Sequence, residues 1–269
     1  MNCIPQKQDH PLTELAPLTW ELIWLAAPII FLAGLIHGTF GIGFPMIATP
    51  LLALFTDVFT AVLICVIPTM SVNLTTIWHG GREQLRNVRP YLMIIPFALI
   101  GTITGTFLLL WFDPRPFLLL LAAAVLLYLN QERLKRVEFS WVRRHPLPAY
   151  MLFGTAAGLM AGMVNVMLPV LIILFMELRI ATATMVVLFN LNFFTGKLTQ
   201  SLIFFQQEIP GIGSFLFSTL FLAPFALTAL FIGMQLRKRF SAERYLSLLR
   251  GVLWLMAGIL ILRFFYAYT

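Results

Sequence analysis

The chain has 269 residues, of which 60% are hydrophobic and only 11% are charged. This composition excludes an ordinary soluble domain, and runs longer than about 18 apolar residues indicate membrane-spanning helices. The net charge of +7 comes from 18 Lys and Arg against 11 Asp and Glu. Most basic residues lie in short loops between apolar runs, which favours cytoplasmic loops of a membrane protein over a nucleic-acid surface.

Ten apolar segments follow one another along the chain. They cover residues 19–39, 44–56, 58–78, 91–111, 115–130, 148–165, 168–177, 180–205, 214–236 and 245–268. The segments 44–56 and 168–177 are too short to cross a hydrocarbon core about 30 Å thick, because a helix rises about 1.5 Å per residue. We therefore predict an all-α polytopic membrane protein in which these two segments are broken or re-entrant helices.

A short pattern occurs twice, 124 residues apart. "AGLIHGTFGIGFP" runs from Ala33 to Pro45, and "AGLMAGMVNVMLP" runs from Ala157 to Pro169. Each copy lies in the first segment of a group of five and precedes the short segment, which indicates an internal repeat. The predicted organisation is a tail (1–18), a first repeat (19–130), a basic cytoplasmic linker (131–147) and a second repeat (148–269).

The loop charges predict the orientation of these two repeats. Basic residues concentrate in the loops 80–90, 131–146 and 237–244, whereas 112–116 and 206–213 are poor in them. The positive-inside rule places the first three loops in the cytoplasm. The repeats are then inverted, with both termini outside and a short helix near the midplane in each repeat. Inverted repeats with interrupted helices are typical of secondary transporters, and the interruptions mark the binding site.

The first interruption provides a candidate anion site. Its backbone is formed by Gly41, Ile42, Gly43 and Phe44, just before Pro45. The helix that starts there would direct free N–H groups and its positive dipole end at a ligand. In the second copy Asn165 replaces Gly41, and the glycines are absent from "NVMLP", so we expect the site first at the glycine-rich copy. Packing between helices is the alternative role for such small residues.

Polar residues within one apolar segment extend this candidate site. Lys197 lies in "LFNLNFFTGKLTQ", and its counterpart 124 residues earlier is Asn73. Ionisable groups at membrane depth are costly and usually functional, although Lys197 is close enough to the segment end to snorkel. Asn190 and Asn192 are expected to line a cavity or to form hydrogen bonds between helices. Further candidates for the lining are Ser71, Thr75, Thr76, Thr195, Thr199 and Gln200.

His37 lies at membrane depth, one turn before the first interruption. It is a candidate for proton coupling, and a simple hydrogen-bonded role is the alternative. Arg250 and Arg263, near the ends of the last segment, are expected to reach the interface. The chain has no H-E-x-x-H, G-x-S-x-G or P-loop motif, so we expect no enzyme, no metal and no cofactor.

The stretches "GTFGIGFPMIATPLLALF" and "TAVLICVIPTMSVNLTTIW" resemble the TauE/SafE sulfite-exporter permeases. Gly38, Gly41, Gly43, Pro45 and Pro50 fit the pattern of that family. The resemblance covers essentially the whole chain in length and layout. It implies export or uptake of small organosulfur compounds or sulfur oxyanions, often with ion coupling, in the bacterial cytoplasmic membrane.

We therefore expect a secondary transporter that moves a small sulfite-like or sulfonate-like anion by alternating access. The expected partners are this anion, the lipid bilayer and a coupling proton or sodium ion, with no nucleic acid; a homodimer stays open. One alternative is an intramembrane enzyme that acts on a lipid-like substrate. The other is a membrane accessory protein that transports nothing.

Overall fold

The computed structural model describes residues 18–130, 140–207, 209–237 and 242–266. Helices joined by short connections form this part of the chain, so the predicted all-α class is confirmed. The predicted tail falls outside the described residues except for Leu18. Residues 131–139 of the predicted linker and residues 238–241 of the last basic loop also fall outside them.

The helices follow the predicted order. The first half contains α1 (Trp20–Phe40), α2 (Phe44–Leu52), α3 (Val58–Asn87), α4 (Ile94–Trp111) and α5 (Pro116–Leu129). The linker contributes α6 (Ser140–Arg144). The second half contains α7 (Pro146–Val164), α8 (Leu168–Glu177), α9 (Thr182–Gln206), α10 (Ile212–Thr219), α11 (Ala223–Leu236) and α12 (Ala242–Tyr266). Short 3-10 turns at Arg89–Tyr91 and Leu220–Leu222 precede α4 and α11.

Length and composition identify the helices that can span a membrane. Within the described residues, α1, α3, α4, α7 and the continuous stretch Ile212–Leu236 are long and apolar enough to do so. α1 has 21 residues and α7 has 19, so each can cross a hydrocarbon core before its interruption. α2 and α8, with 9 and 10 residues, are too short to cross such a core, and their position in the membrane stays a prediction.

The two halves repeat each other in the positions of their helices. Phe44 and Leu168 begin α2 and α8, while Val58 and Thr182 begin α3 and α9, so both pairs are 124 residues apart. The packing repeats as well: α1 packs against α11, and α7, its counterpart, packs against α4. The counterparts α3 and α9 pack against each other, as do α5 and α12.

The counterpart helices α3 and α9 run antiparallel. Near one end, the Phe59 and Phe204 rings lie 5.9 Å apart. Near the other end, the Thr184 hydroxyl donates a hydrogen bond to Gln84 Oε1 at 3.2 Å. This direction agrees with two inverted repeats, while the orientation of each half in a membrane stays a prediction.

Glycines allow α1 and α7 to pack tightly against helices of the opposite half. A Cβ added at Gly38 would collide with the Leu230 carbonyl group on α11. A Cβ added at Gly158 would collide with the Ala98 carbonyl oxygen on α4. Small residues bring helix backbones together in this way in membrane proteins. These glycines therefore serve packing between the halves.

We expect Gly158→Val to lower the unfolding midpoint of the purified protein, because overpacking such a contact costs about 1–3 kcal/mol. Gly258→Ala is the matched control, since no heavy atom lies within 4 Å of a Cβ at this position on α12. Thermal unfolding in detergent measures both variants, and the control should melt at or slightly above the wild-type temperature. A wild-type midpoint for Gly158→Val would contradict the close packing of α4 and α7.

Candidate functional site

The first interruption, between α1 and α2, is a turn of left-handed glycines. Gly41 has φ 79° and Gly43 has φ 103°, conformations that L side chains rarely adopt. The Gly41 N–H closes α1 on the His37 carbonyl oxygen at 2.5 Å. A Cβ at Gly41 would also lie 2.8 Å from Val186 Cγ1 on α9. Glycine at position 41 therefore allows both the left-handed backbone conformation and the close contact with Val186.

The imidazole of His37 caps the start of α2. Its Nδ1 accepts a hydrogen bond from the Phe44 N–H at 3.3 Å, and its Nε2 lies 3.1 Å from Thr76 Oγ1. The Thr76 hydroxyl donates to the Val72 carbonyl oxygen, so Nε2 must be the donor to Thr76. A neutral imidazole with its proton on Nε2 satisfies all three bonds. His37 thus has the hydrogen-bonded role, and its role in proton coupling stays a prediction.

Asn190 on α9 holds this first interruption from the opposite half. Its Nδ2 donates to the Gly41 carbonyl oxygen at 2.8 Å and to the Val186 carbonyl oxygen at 2.7 Å. Because both partners are acceptors, the amide orientation is fixed, and Oδ1 faces a position where it has no partner among the described residues. Asn190 therefore joins the two halves at the break.

The second interruption, between α7 and α8, uses asparagine in place of glycine. Asn165 has φ 61°, a left-handed conformation that asparagine tolerates better than most residues. Its Nδ2 donates to Thr49 Oγ1 on α2 at 2.8 Å, and the Thr49 hydroxyl lies 3.5 Å from Cys65 Sγ. Each interruption is thus bound by a side chain from the other half of the molecule.

Lys197 is inside the protein rather than extended to the interface. Its side chain is only 2% exposed, and Nζ donates a hydrogen bond to Gln200 Oε1. Gln200 Nε2 in turn donates to the Gly162 carbonyl oxygen on α7 at 2.9 Å and to Thr106 Oγ1 at 3.3 Å. Lys197 is therefore tied to the end of α7, just before the second interruption.

A second set of contacts places α9 beside the start of α8. A Cβ at Gly196, the neighbour of Lys197, would lie 3.4 Å from Thr102 Oγ1 and 4.0 Å from Met167 Cε. Met167 immediately precedes α8, and no side chain among the described residues caps that helix. Lys197, Thr102 and the open start of α8 thus belong to one region.

Several buried polar atoms have no hydrogen-bond partner within the described ranges. They are Thr69 Oγ1, Asn73 Nδ2 and Oδ1, Thr102 Oγ1, Asn165 Oδ1, Asn190 Oδ1 and Asn192 Oδ1. Buried polar atoms are normally paired, because an unsatisfied one costs about 1–3 kcal/mol. Their concentration on α3, α4, α9 and the second interruption is typical of a region that receives water or a polar ligand.

A cavity of about 790 Å³ leads to the first interruption. Gln84 and Arg237 line one end, and His37 and Gly41 line the other; Lys197 does not line it. Its remaining lining residues are Gly38, Phe40, Thr76, His79, Gly80, Thr182, Ala183, Val186, Val187, Leu230 and Met234. The end with Gln84 and Arg237 adjoins loops that the charge pattern places in the cytoplasm.

The structure therefore separates the predicted site residues into groups. His37, Gly41, Phe44 and Asn190 meet at the first interruption. Ile42 and Gly43 line a separate cavity of about 70 Å³ beside Tyr128 and Leu253. Asn165 and Lys197 belong to the region of the second interruption. Asn73 and Asn192 are buried, and Asn192 Nδ2 donates only within its own helix, to the Leu188 carbonyl oxygen at 2.8 Å.

Sequence reasoning missed the role of Arg263. Its guanidinium donates to the carbonyl oxygens of Ala53 and of Thr56, the latter at 2.9 Å, while its position relative to the interface stays a prediction. These carbonyl groups lie at the end of α2, where a cation stabilises both the unpaired oxygens and the helix dipole. A basic residue at the end of an apolar segment was the only signal in the sequence, and it does not identify this partner.

We expect Arg263→Ala to loosen α2, because hydrogen bonds to a charged group contribute about 1.5–3 kcal/mol. Hydrogen–deuterium exchange of peptides covering residues 44–57 should become at least about tenfold faster, since local opening becomes easier. In Arg263→Lys the exchange rate of these peptides should lie between those of the wild type and Arg263→Ala, because a lysine ammonium keeps the charge but lacks the planar guanidinium. Unchanged exchange in Arg263→Ala would show that α2 does not depend on this contact.

Comparison with known proteins identifies the family. The family model of the sulfite exporter TauE/SafE matches residues 26–262, a range that contains both interruptions and Lys197. No curated protein and no solved structure matches the chain. The match extends over nearly the whole sequence and agrees with the helical membrane architecture. The chain therefore belongs to the sulfite exporter TauE/SafE family.

Proposed function

We propose that this member of a transporter family is a secondary permease for a small anion. The proposed substrate class is sulfite, a sulfonate or a related organosulfur compound, and the proposed location is the bacterial cytoplasmic membrane with both termini outside. The description of the family as sulfite exporters supports the substrate class. The buried side chain of Lys197, described next, supports a negatively charged substrate.

The single observation that carries the proposal is the environment of Lys197. The salt bridge between Arg115 and Asp113 does not involve Lys197, and no carboxylate among the described residues pairs with the Lys197 ammonium. Its hydrogen-bond partner is the neutral amide of Gln200. A buried charge without a counter-charge is strongly unfavourable. An anionic ligand would supply that counter-charge at the point where the protein provides none.

The start of α8 favours the same region. Helix N-termini bind anions through free N–H groups and the positive end of the dipole. At α2 the Phe44 N–H already donates to His37, and Pro45, like Pro169 in α8, has no N–H. At α8 no described side chain takes that place, and the unpaired Thr102 hydroxyl lies nearby. We therefore place the anion nearer the second interruption, although the sequence favoured the glycine-rich first copy.

The cavity supports an access route from the predicted cytoplasmic side. Its floor is at His37 and Gly41, where Asn190 binds from α9. Lys197 is seven residues further along α9, which corresponds to about 10 Å of helix. In the state described here the cavity reaches the first interruption, whereas Lys197 is buried outside its lining. A rocking movement of the two halves would connect the cavity with Lys197 and then open a route to the opposite side of the membrane, as alternating access requires.

We expect purified protein in liposomes to take up labelled sulfite, sulfoacetate or taurine. Lys197→Gln should lower this flux at least about tenfold, because it removes the charge but keeps a polar side chain of similar length. Arg144→Gln is the control: it removes one exposed positive charge on α6 and should leave the flux unchanged.

Each result of this experiment decides one point. If no anion is transported at any imposed proton gradient, the chain is not the proposed permease, and the enzyme and accessory alternatives gain support. If Lys197→Gln transports at the wild-type rate, Lys197 is not part of the anion site. An equal loss of flux in Arg144→Gln would show that the effect comes from the net charge of the protein rather than from the position of Lys197.

We also expect Asn73→Leu to raise thermal stability while it lowers transport. Asn73 is fully buried, and both polar atoms of its side chain are unpaired within the described residues, so its removal relieves a cost of about 1–3 kcal/mol. Thr49→Val is the contrasting variant, because the Thr49 hydroxyl accepts from Asn165 and its loss should be destabilising. Melting temperature and liposome flux measure the two effects. A destabilised Asn73→Leu variant would show that Asn73 serves folding.

A further inference from the structure

A second cavity, separate from the transport region, lies on the surface beyond the end of the membrane-spanning part of α3. It has a volume of about 630 Å³ and is lined by Arg82, Glu83, Leu85, Arg86 and Arg89. Gly81, with φ 74° and ψ 172°, interrupts α3 immediately before this segment. The groove is therefore formed by a short basic segment that changes direction at the kink.

The groove concentrates positive charge without compensation. Arg82, Arg86 and Arg89 are all exposed; Arg82 and Arg86 are one turn apart on α3, and Arg89 begins the 3-10 turn that follows. In the described part of the chain none of the three forms a salt bridge. Glu83 is the only acidic residue in the lining, so the groove carries an excess of two positive charges.

The neighbouring side chains place the groove at the level of a lipid headgroup. Trp78, one turn before the kink, is 82% exposed, and tryptophan is enriched at membrane–water interfaces. Leu85, which lines the groove itself, is also exposed and offers an apolar contact. At this level the three guanidinium groups would face the region where the phosphates of phospholipids lie.

The segment of the second half that corresponds to these arginines carries no positive charge. Under the 124-residue offset the basic segment corresponds to residues 206–213, "QQEIPGIG", which contain no Lys or Arg. The repeat itself therefore does not account for the three arginines. They occur at the end of the repeat that the loop charges place in the cytoplasm, where anionic lipids attract basic segments.

We propose that this groove binds the phosphate headgroup of an anionic phospholipid from the cytoplasmic leaflet. Guanidinium groups bind phosphate through paired, charge-assisted hydrogen bonds, and Leu85 would contact the glycerol and upper acyl region. Gln84, in the same turn, accepts the hydrogen bond from Thr184 and lines the mouth of the larger cavity. A bound lipid would therefore also hold the end of α3 at the mouth of the access route.

The test is lipid binding by the full-length protein in neutral detergent, measured by native mass spectrometry with short-chain phosphatidylglycerol and phosphatidylcholine. We expect wild-type protein to bind phosphatidylglycerol preferentially. Arg82→Gln/Arg86→Gln should weaken this binding about thirtyfold, given the usual contribution of each basic residue near anionic lipid. Arg143→Gln/Arg144→Gln removes the same charge from exposed α6 and should stay within about twofold of wild type.

Three outcomes would overturn the proposal. Equal binding of the two lipids would exclude headgroup recognition, and an equal loss in both double variants would reduce the effect to net charge. Inorganic phosphate or glycerol phosphate that displaces the lipid at equal concentration would identify a site for free phosphate. A matching elution profile and melting temperature confirm that each variant is folded. The experiment measures no transport, so its result is independent of the proposed permease function.

Discussion

The structure depends on hydrogen bonds that satisfy a broken backbone inside a membrane. Chain that leaves a helix at membrane depth is tolerated only when protein or a cavity takes the place of its lost partners. Here the partners cross between the halves: Asn190 of the second half binds the Gly41 carbonyl oxygen, and Thr49 of the first half binds Asn165. Arg263 adds a third link at the far end of α2. A movement of one half must therefore change the interruption of the other.

The two interruptions have diverged in the way that they satisfy this constraint. In the first half, His37 fills the space beside α3 and takes up the Phe44 N–H. Its counterpart in the second half is Ala161, and the counterpart of Thr76 is Gln200. The longer glutamine side chain reaches α7, where it binds the Gly162 carbonyl oxygen, and it also accepts from Lys197. At the first interruption the start of α2 is thus capped by a side chain of its own half, whereas the second interruption lies beside the buried Lys197.

Hydropathy and spacing predict the helices well, because a segment within lipid must be apolar and must satisfy its own backbone hydrogen bonds as a helix. The prediction of 168–177 coincides with α8 (Leu168–Glu177), and the predicted segments starting at 58 and 180 correspond to α3 and α9, which begin at Val58 and Thr182. Two boundaries differ for local reasons. α2 ends at Leu52 because Ala53–Thr56 turns toward Arg263, and α3 continues as a polar helix past Trp78, where the apolar pattern ends. The predicted segment 214–236 is divided before Pro224, which suits the first turn of a new helix.

The site could be predicted only in part, because its residues are joined across long stretches of chain. The pattern identified Gly41, Asn165, Asn190 and Lys197 as unusual, since each breaks a local rule for a membrane helix. It could not show that Asn190 binds Gly41 across 149 residues, or that Lys197 bends inward to Gln200. The sequence also provides no reason to single out Thr49, because a threonine within an apolar helix is usually a simple packing residue. Pairing between distant positions leaves no periodic signal in a single sequence.

The unpaired atoms give the molecule a physical reason to change state. A ligand shifts a conformational equilibrium only through its different affinity for the two states. In the described state the cavity reaches His37 and Gly41, while Thr102 has an unpaired hydroxyl and Lys197 is buried outside the cavity lining. Under the proposed function, an anion that enters beside Lys197 would supply a counter-charge and an acceptor for Thr102, so it would stabilise the open state more than the closed state. Under the proposed function, the cost of the buried, unsatisfied polar atoms would couple anion binding to a movement of the two halves.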